Sequence, residues 1–120
     1  MPRHAIHLGN AWEPAATRND PWRRRFGRPA GVRPGDRLVL ACERPPNAAE
    51  PVLVELNGNA LPEMAPGPCR WEQDVTTLVG ERNELLLWAA GVEPACGHGG
   101  RERRTLPAAL GRLTIEVVTD

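Results

Sequence analysis

The residues best equipped for chemistry lie near the two ends of the chain. Cys96 and His98 stand two apart in a Gly-rich stretch, and His4 and His7 add two imidazoles near the start. With Cys42 and Cys69 they could supply thiolate and imidazole to a metal. Structural zinc, however, normally draws on closely paired Cys-x-x-Cys knuckles, and none occurs. Cys42 sits inside an apolar run, where a free cysteine behaves as a small hydrophobe. Cys96 beside His98 is also the one nucleophile-and-base candidate. Residues i and i+2 on a loop meet only in special geometry, and no acid is placed to orient the imidazole. The reading is therefore no metal, no cofactor and no catalytic residue.

Other chemistry would be recognition. Trp12, Trp22, Trp71 and Trp88 are the large aromatics beside Phe26. Exposed, such rings are flat platforms for sugars, completed by polar groups on the rim. The bland alternative is that all four pack inside. Arg101, Arg103 and Arg104, with Arg23 and Arg25, could engage phosphates, but Glu93 and Glu102 dilute the loop cluster. Fifteen Arg balance fifteen Asp and Glu, so no overall field draws in nucleic acid or anionic membrane. The Gly97-His98-Gly99-Gly100 run opens no helix after a strand, so it is not a phosphate loop.

The elements that position these residues are short. With 120 residues, a single domain over 1–120 is expected, large enough for its own core. Thirteen Pro and twelve Gly imply many turns. Apolar bursts recur about every ten residues between Pro, Gly and Asn, the spacing of an all-β sandwich or barrel. Bursts fall at residues 5–12, 21–28, 37–43, 52–56, 69–75, 83–90 and 112–119, with a short return strand from Leu61. In the second, Trp22 and Phe26 share one face and Arg23 and Arg25 the other. Asn57-Gly58 predicts a tight hairpin, since both residues tolerate positive φ. Residues 62–68 read as a Pro-rich loop. Residues 76–80 read as one helical turn capped by Asp74 or Thr76. In 112–119, Leu113, Ile115 and Val117 alternate with Thr114, Glu116 and Val118, a half-buried closing strand. Residues 91–107 form a long polar loop without periodicity.

The order of these segments resembles the sugar-binding domain of glycoside hydrolase family 2. Residues 22–29, WRRRFGRP, resemble its aromatic, Arg-bearing strand that ends at Pro. VLVELNG at 52–58 is similar to its V-x-V-x-L-N-G hairpin, and DVTTLV at 74–79 followed by RNEL at 82–85 to its capped turn and next strand. The match runs over roughly residues 20 to 118. It implies a two-sheet antiparallel β-sandwich of the galactose-binding-like, jelly-roll type, with about eight strands and one short helical turn. In that family the domain is an accessory. The paired carboxylates that cut the glycosidic bond sit in a separate barrel with no counterpart in these residues, so glycosidase activity is not carried over.

Two functions follow as expectations. One is a non-catalytic module for carbohydrate or another small polar ligand, bound by Trp12, Arg70, Trp71, His98 and Arg101 on loops at one end of the sandwich. The other is an interaction or assembly module, a homo-oligomer or a docking partner, using the outward side of the strand that carries Leu86 and Trp88. An odd number of cysteines and no apolar leader suggest reduced thiols and a cytoplasmic setting. The longest apolar run, residues 85–91, is too short to span a bilayer, so no membrane is expected.

Overall fold

The computed structural model describes residues 3–17, 19–89, 105–107 and 110–119. Eight strands follow one another: β1 (Arg3–His7), β2 (Trp22–Gly27), β3 (Arg37–Arg44), β4 (Val52–Leu56), β5 (Asn59–Met64), β6 (Cys69–Asp74), β7 (Arg82–Trp88) and β8 (Arg112–Val118). They form two four-stranded sheets, ordered β1-β8-β3-β6 and β2-β7-β4-β5, with every neighbouring pair antiparallel. Consecutive strands thus cross repeatedly between the sheets, the jelly-roll order. The expected all-β sandwich is the observed one.

Alternation places the core. Val52, Val54 and Leu56 of β4 point inward with Leu85 and Leu87 of β7. They meet Leu38, Leu40 and Cys42 of β3 and Leu113, Ile115 and Val117 of β8. Trp22, Met64 and Trp71 fill the flanks, while Leu8, Trp12, Leu106, Leu110, Val75 and Val79 close the ends. At about 25 cal/mol per Å² of apolar surface, a fully buried side chain of this size contributes roughly 2 kcal/mol.

The Asn57-Gly58 hairpin forms as expected, with φ of 51° and 82° and Leu56 paired to Asn59. Asn57 also reaches out of the turn. Its Nδ2 donates to the Leu78 carbonyl (2.8 Å) and to Asn83 Oδ1 (2.9 Å), and its Oδ1 accepts from the Glu84 amide. Asn83 is buried and donates through Nδ2 to the carbonyls of Phe26 and Gly80, both at 3.1 Å, while Oδ1 also accepts from the Gly80 amide. Two asparagines thereby tie β2, β7 and the hairpin to the turn after β6.

Two expectations are corrected. Residues 62–64 belong to β5 rather than to a loop. The pairing shifts by one residue between Val52↔Met64 and Val54↔Leu61, and Pro62 lies within that bulge on an edge strand, where its missing N–H removes no ladder bond. Residues 76–80, by contrast, make the single turn expected and no more. The Leu78 and Val79 amides both donate to the Val75 carbonyl, and the chain then straightens. The capping is as expected, since Asp74 Oδ1 accepts from Thr76 N (3.0 Å) and Thr76 Oγ1 (2.6 Å). Lastly, β8 is buried on both faces, because it lies inside its sheet and its outer face is roofed by arginine side chains.

That roof is an ion lattice. Arg70 pairs with Glu43 (2.7 Å), Glu72 (2.9 Å) and Glu116 (2.8 Å), and Arg3 closes the set through Glu116 (2.7 Å) and Glu72 (3.2 Å). The stem of a long arginine covers apolar surface while its head stays paired. Glu116 is buried beneath the two guanidiniums. Arg70 is held above its ordinary range first by Glu116 and then by Glu43. Burial pushes Glu72 up, but its bonds from Arg70 and Arg3 outweigh this and hold it below the ordinary glutamate range. Asp74 is likewise held low by its bonds from Thr76. Both groups therefore bind protons more readily in the unfolded chain. Their stabilisation is present above about pH 4.5, the ordinary value of a glutamate, and is lost as pH falls through that range. Expected melting temperatures drop on acidification from about pH 5 to 3, and Asp74→Asn makes that drop shallower. A dependence unchanged in the variant would contradict the assignment.

Candidate functional site: a cleft at one end of the sandwich

Three strand ends converge at one end of the first sheet. His7 closes β1, Glu43 and Arg44 close β3, and Arg112 and Leu113 open β8. Arg112 is directly opposite Glu43 in the ladder, and His7 opposite Thr114. With Gly9, Pro45, Thr105, Leu106 and Gly111 these residues line an open cleft of about 510 Å³. That lies within the usual range for small-molecule sites, roughly 300–1,000 Å³.

The cleft has an anchored floor. Arg44 is only 5% exposed, and its guanidinium bonds three separate loops. Nε donates to the Leu110 carbonyl (3.0 Å), and Nη1 to the carbonyls of Glu50 (3.0 Å) and Ala65 (2.9 Å). The Leu106 amide donates to the Gly9 carbonyl and the Leu8 amide to Leu113. Gly111, at φ +130°, lets the chain pass hard against β3. Cys42 lies just below, its thiol donating to the Leu110 carbonyl. Burial pushes that thiol up to about 11, against a smaller opposing pull from Arg44, so it stays protonated and unreactive at neutral pH.

The rim is charged and unevenly committed. Glu43 gives its carboxylate to Arg70, 2.7 Å away. Arg112 is exposed and, although its ladder partner is Glu43, forms no ion pair among the described residues. His7 is exposed beside it. The carboxylate on the rim is thus already engaged by a guanidinium.

The residues expected from sequence are scattered. Arg70 belongs to the lattice bordering the cleft. Trp12 and Trp71 are corrected as platforms, because both rings lie in the core, 1% and 7% exposed. Their indole N–H groups are spent on the carbonyls of Leu8 (2.5 Å) and Pro62 (3.1 Å). His98 and Arg101 lie outside the described residues, as does Cys96. Thr105 and Leu106 line the cleft. Leu86 and Trp88 point outward from the second sheet and are half-buried, with Trp88 paired to Leu53, which is 55% exposed. His4 and His7 are three apart on one strand and so face opposite sides. No group of three His, Cys, Asp or Glu converges as a metal set among the described residues. No described helix is long and apolar enough to cross a membrane. Glu43, Arg44 and Arg112 went unnoticed in the sequence, and His7 was weighed only as a metal ligand, since no motif joins the four.

Known structures share this sandwich. The chain aligns with a β-glucuronidase from an uncultured Clostridium sp. at a TM-score of 0.68 and 15% identity, covering 98% of this chain and 29% of that one. A Faecalibacterium prausnitzii β-glucuronidase gives 0.64, 18%, 98% and 31%. The β-D-glucuronidase of Dictyoglomus thermophilum gives 0.64, 12%, 98% and 28%. The chain has the fold of one segment of these β-glucuronidases, a two-sheet antiparallel sandwich. It spans less than a third of each of these three proteins. No family model matches the sequence, and no curated protein matches it.

Proposed function

We propose that this chain is a non-catalytic binding module that takes a carbohydrate or another small polar ligand in the cleft at the end of the first sheet. The observation that carries this reading is the cleft itself, about 510 Å³, with Arg112 and His7 on a rim whose floor Arg44 pins to three loops. Pre-fixed polar groups around a concave surface are what a small hydroxylated ligand needs, since little ordering is then required on binding. The likeness to a segment of β-glucuronidases supports carbohydrate as the ligand class, and the small share of those enzymes that is spanned supports a non-catalytic role. Isothermal titration against a panel of mono- and disaccharides tests the reading. Saturable binding that weakens on closing the cleft with Thr105→Trp is the expected result. Absence of binding at millimolar sugar would overturn it.

A second reading rests on one observation. On the outer face of the second sheet, Leu53 and Trp88 sit side by side over a shallow depression of about 300 Å³. An exposed apolar patch of this kind marks a contact surface. In this reading the chain assembles or docks through that face. Sedimentation at several concentrations would show association that Leu53→Asp abolishes, whereas a concentration-independent monomer would remove the homo-oligomer.

A further inference from the structure

We infer that the cleft ligand is anionic, a small acidic sugar whose carboxylate or phosphate is received by Arg112. The inference rests on the reading of the cleft as a ligand site and concerns what that site selects. Its argument is the distribution of charge among the lining residues. Two guanidiniums, Arg44 and Arg112, face one carboxylate, Glu43. That carboxylate is already engaged by Arg70, which also holds Glu72 and Glu116. In an antiparallel ladder, opposite charges directly across from each other normally pair. Here Glu43 turns to Arg70 instead, on the far side of β3, and Arg112 is left on the rim without a carboxylate among the described residues.

The buried charge adds to this. Arg44 is bonded to three neutral carbonyls and forms no ion pair among the described residues. A buried cation satisfied by dipoles alone keeps its field, and low surrounding dielectric carries that field toward the cleft. An exposed arginine suits a planar carboxylate or a phosphate, which the guanidinium can hold through two parallel hydrogen bonds. His7 across the ladder from Thr114 adds a further polar group on the same rim.

D-glucose, D-glucuronate and D-glucose 6-phosphate differ only at C6 and separate the cases. Titration of the whole chain at low salt is expected to show at least one acidic sugar binding about tenfold or more tightly than D-glucose, the discrimination that a charge-assisted pair provides. Which of the two acidic sugars wins identifies carboxylate or phosphate as the anion. The preference is expected to disappear in Arg112→Gln, whose melting temperature stays that of the parent because the side chain is exposed. It should also shrink as salt is raised. Equal binding of all three sugars would overturn the inference while leaving the cleft as a sugar site. An acidic preference that survives Arg112→Gln would overturn the assignment to this residue. Failure of all three to bind would overturn the inference together with the reading beneath it.

Discussion

Replacing Gly111 with alanine is expected to lower stability by about 4 kcal/mol, the sum of backbone strain and overpacking. Gly111 adopts φ +130°, a region that L side chains avoid. A Cβ there would stand 2.6 Å from the Glu43 carbonyl oxygen and 2.7 Å from Cys42 Sγ, well inside van der Waals contact. Neither neighbour yields easily, since the first is the backbone of a central strand and the second a core side chain. The start of β8 would have to move away from β3, taking Arg112 with it. Urea denaturation followed by tryptophan fluorescence measures the loss. Gly58→Ala provides the comparison, because its φ is also positive but nothing stands within 4 Å of a Cβ there. It is expected to cost about 1 kcal/mol. Equal losses in the two variants would show that close approach at Gly111 contributes nothing.

Asn83→Ala is expected to cost about 3 kcal/mol, from the three partly buried backbone groups that lose their partner. The Gly80 amide and the carbonyls of Gly80 and Phe26 all use this one side chain. Asn83→Asp separates hydrogen bonding from size. Its oxygens can still accept from Gly80 and Asn57, but one now faces two carbonyls, so it is expected to be no better than alanine. A loss below about 1 kcal/mol in both variants, within the range of ordinary surface changes, would contradict a structural role for the network.

What was legible in the sequence was whatever is decided by neighbours along the chain. Val52, Val54 and Leu56 declared their face by alternation, Asn57-Gly58 its turn by conformational tolerance, and Asp74 with Thr76 the cap by reach. Burial set by distant partners was not legible. Thr114 and Glu116 read as a solvated face because Arg3 and Arg70, which help to cover it, come from other strands. Pro62 read as a breaker because only the sheet order shows that its strand is at an edge. Trp12 and Trp71 stayed open to a reading as platforms beside the core reading, since the carbonyls that take their N–H groups are positioned by the fold. The cleft was the least visible feature. His7, Glu43 and Arg112 lie between 36 and 105 residues apart and meet only because β1, β8 and β3 are neighbours in one sheet.

The central claim is that ligand enters at the end of the first sheet. Its most direct measurement is amide chemical-shift mapping of the isotope-labelled chain during titration with D-glucuronate. The account expects shifts concentrated at His7, Gly9, Glu43, Gly111 and Arg112, saturating together. Shifts centred instead on Leu53, Glu55 and Trp88, or scattered without saturation, would contradict it.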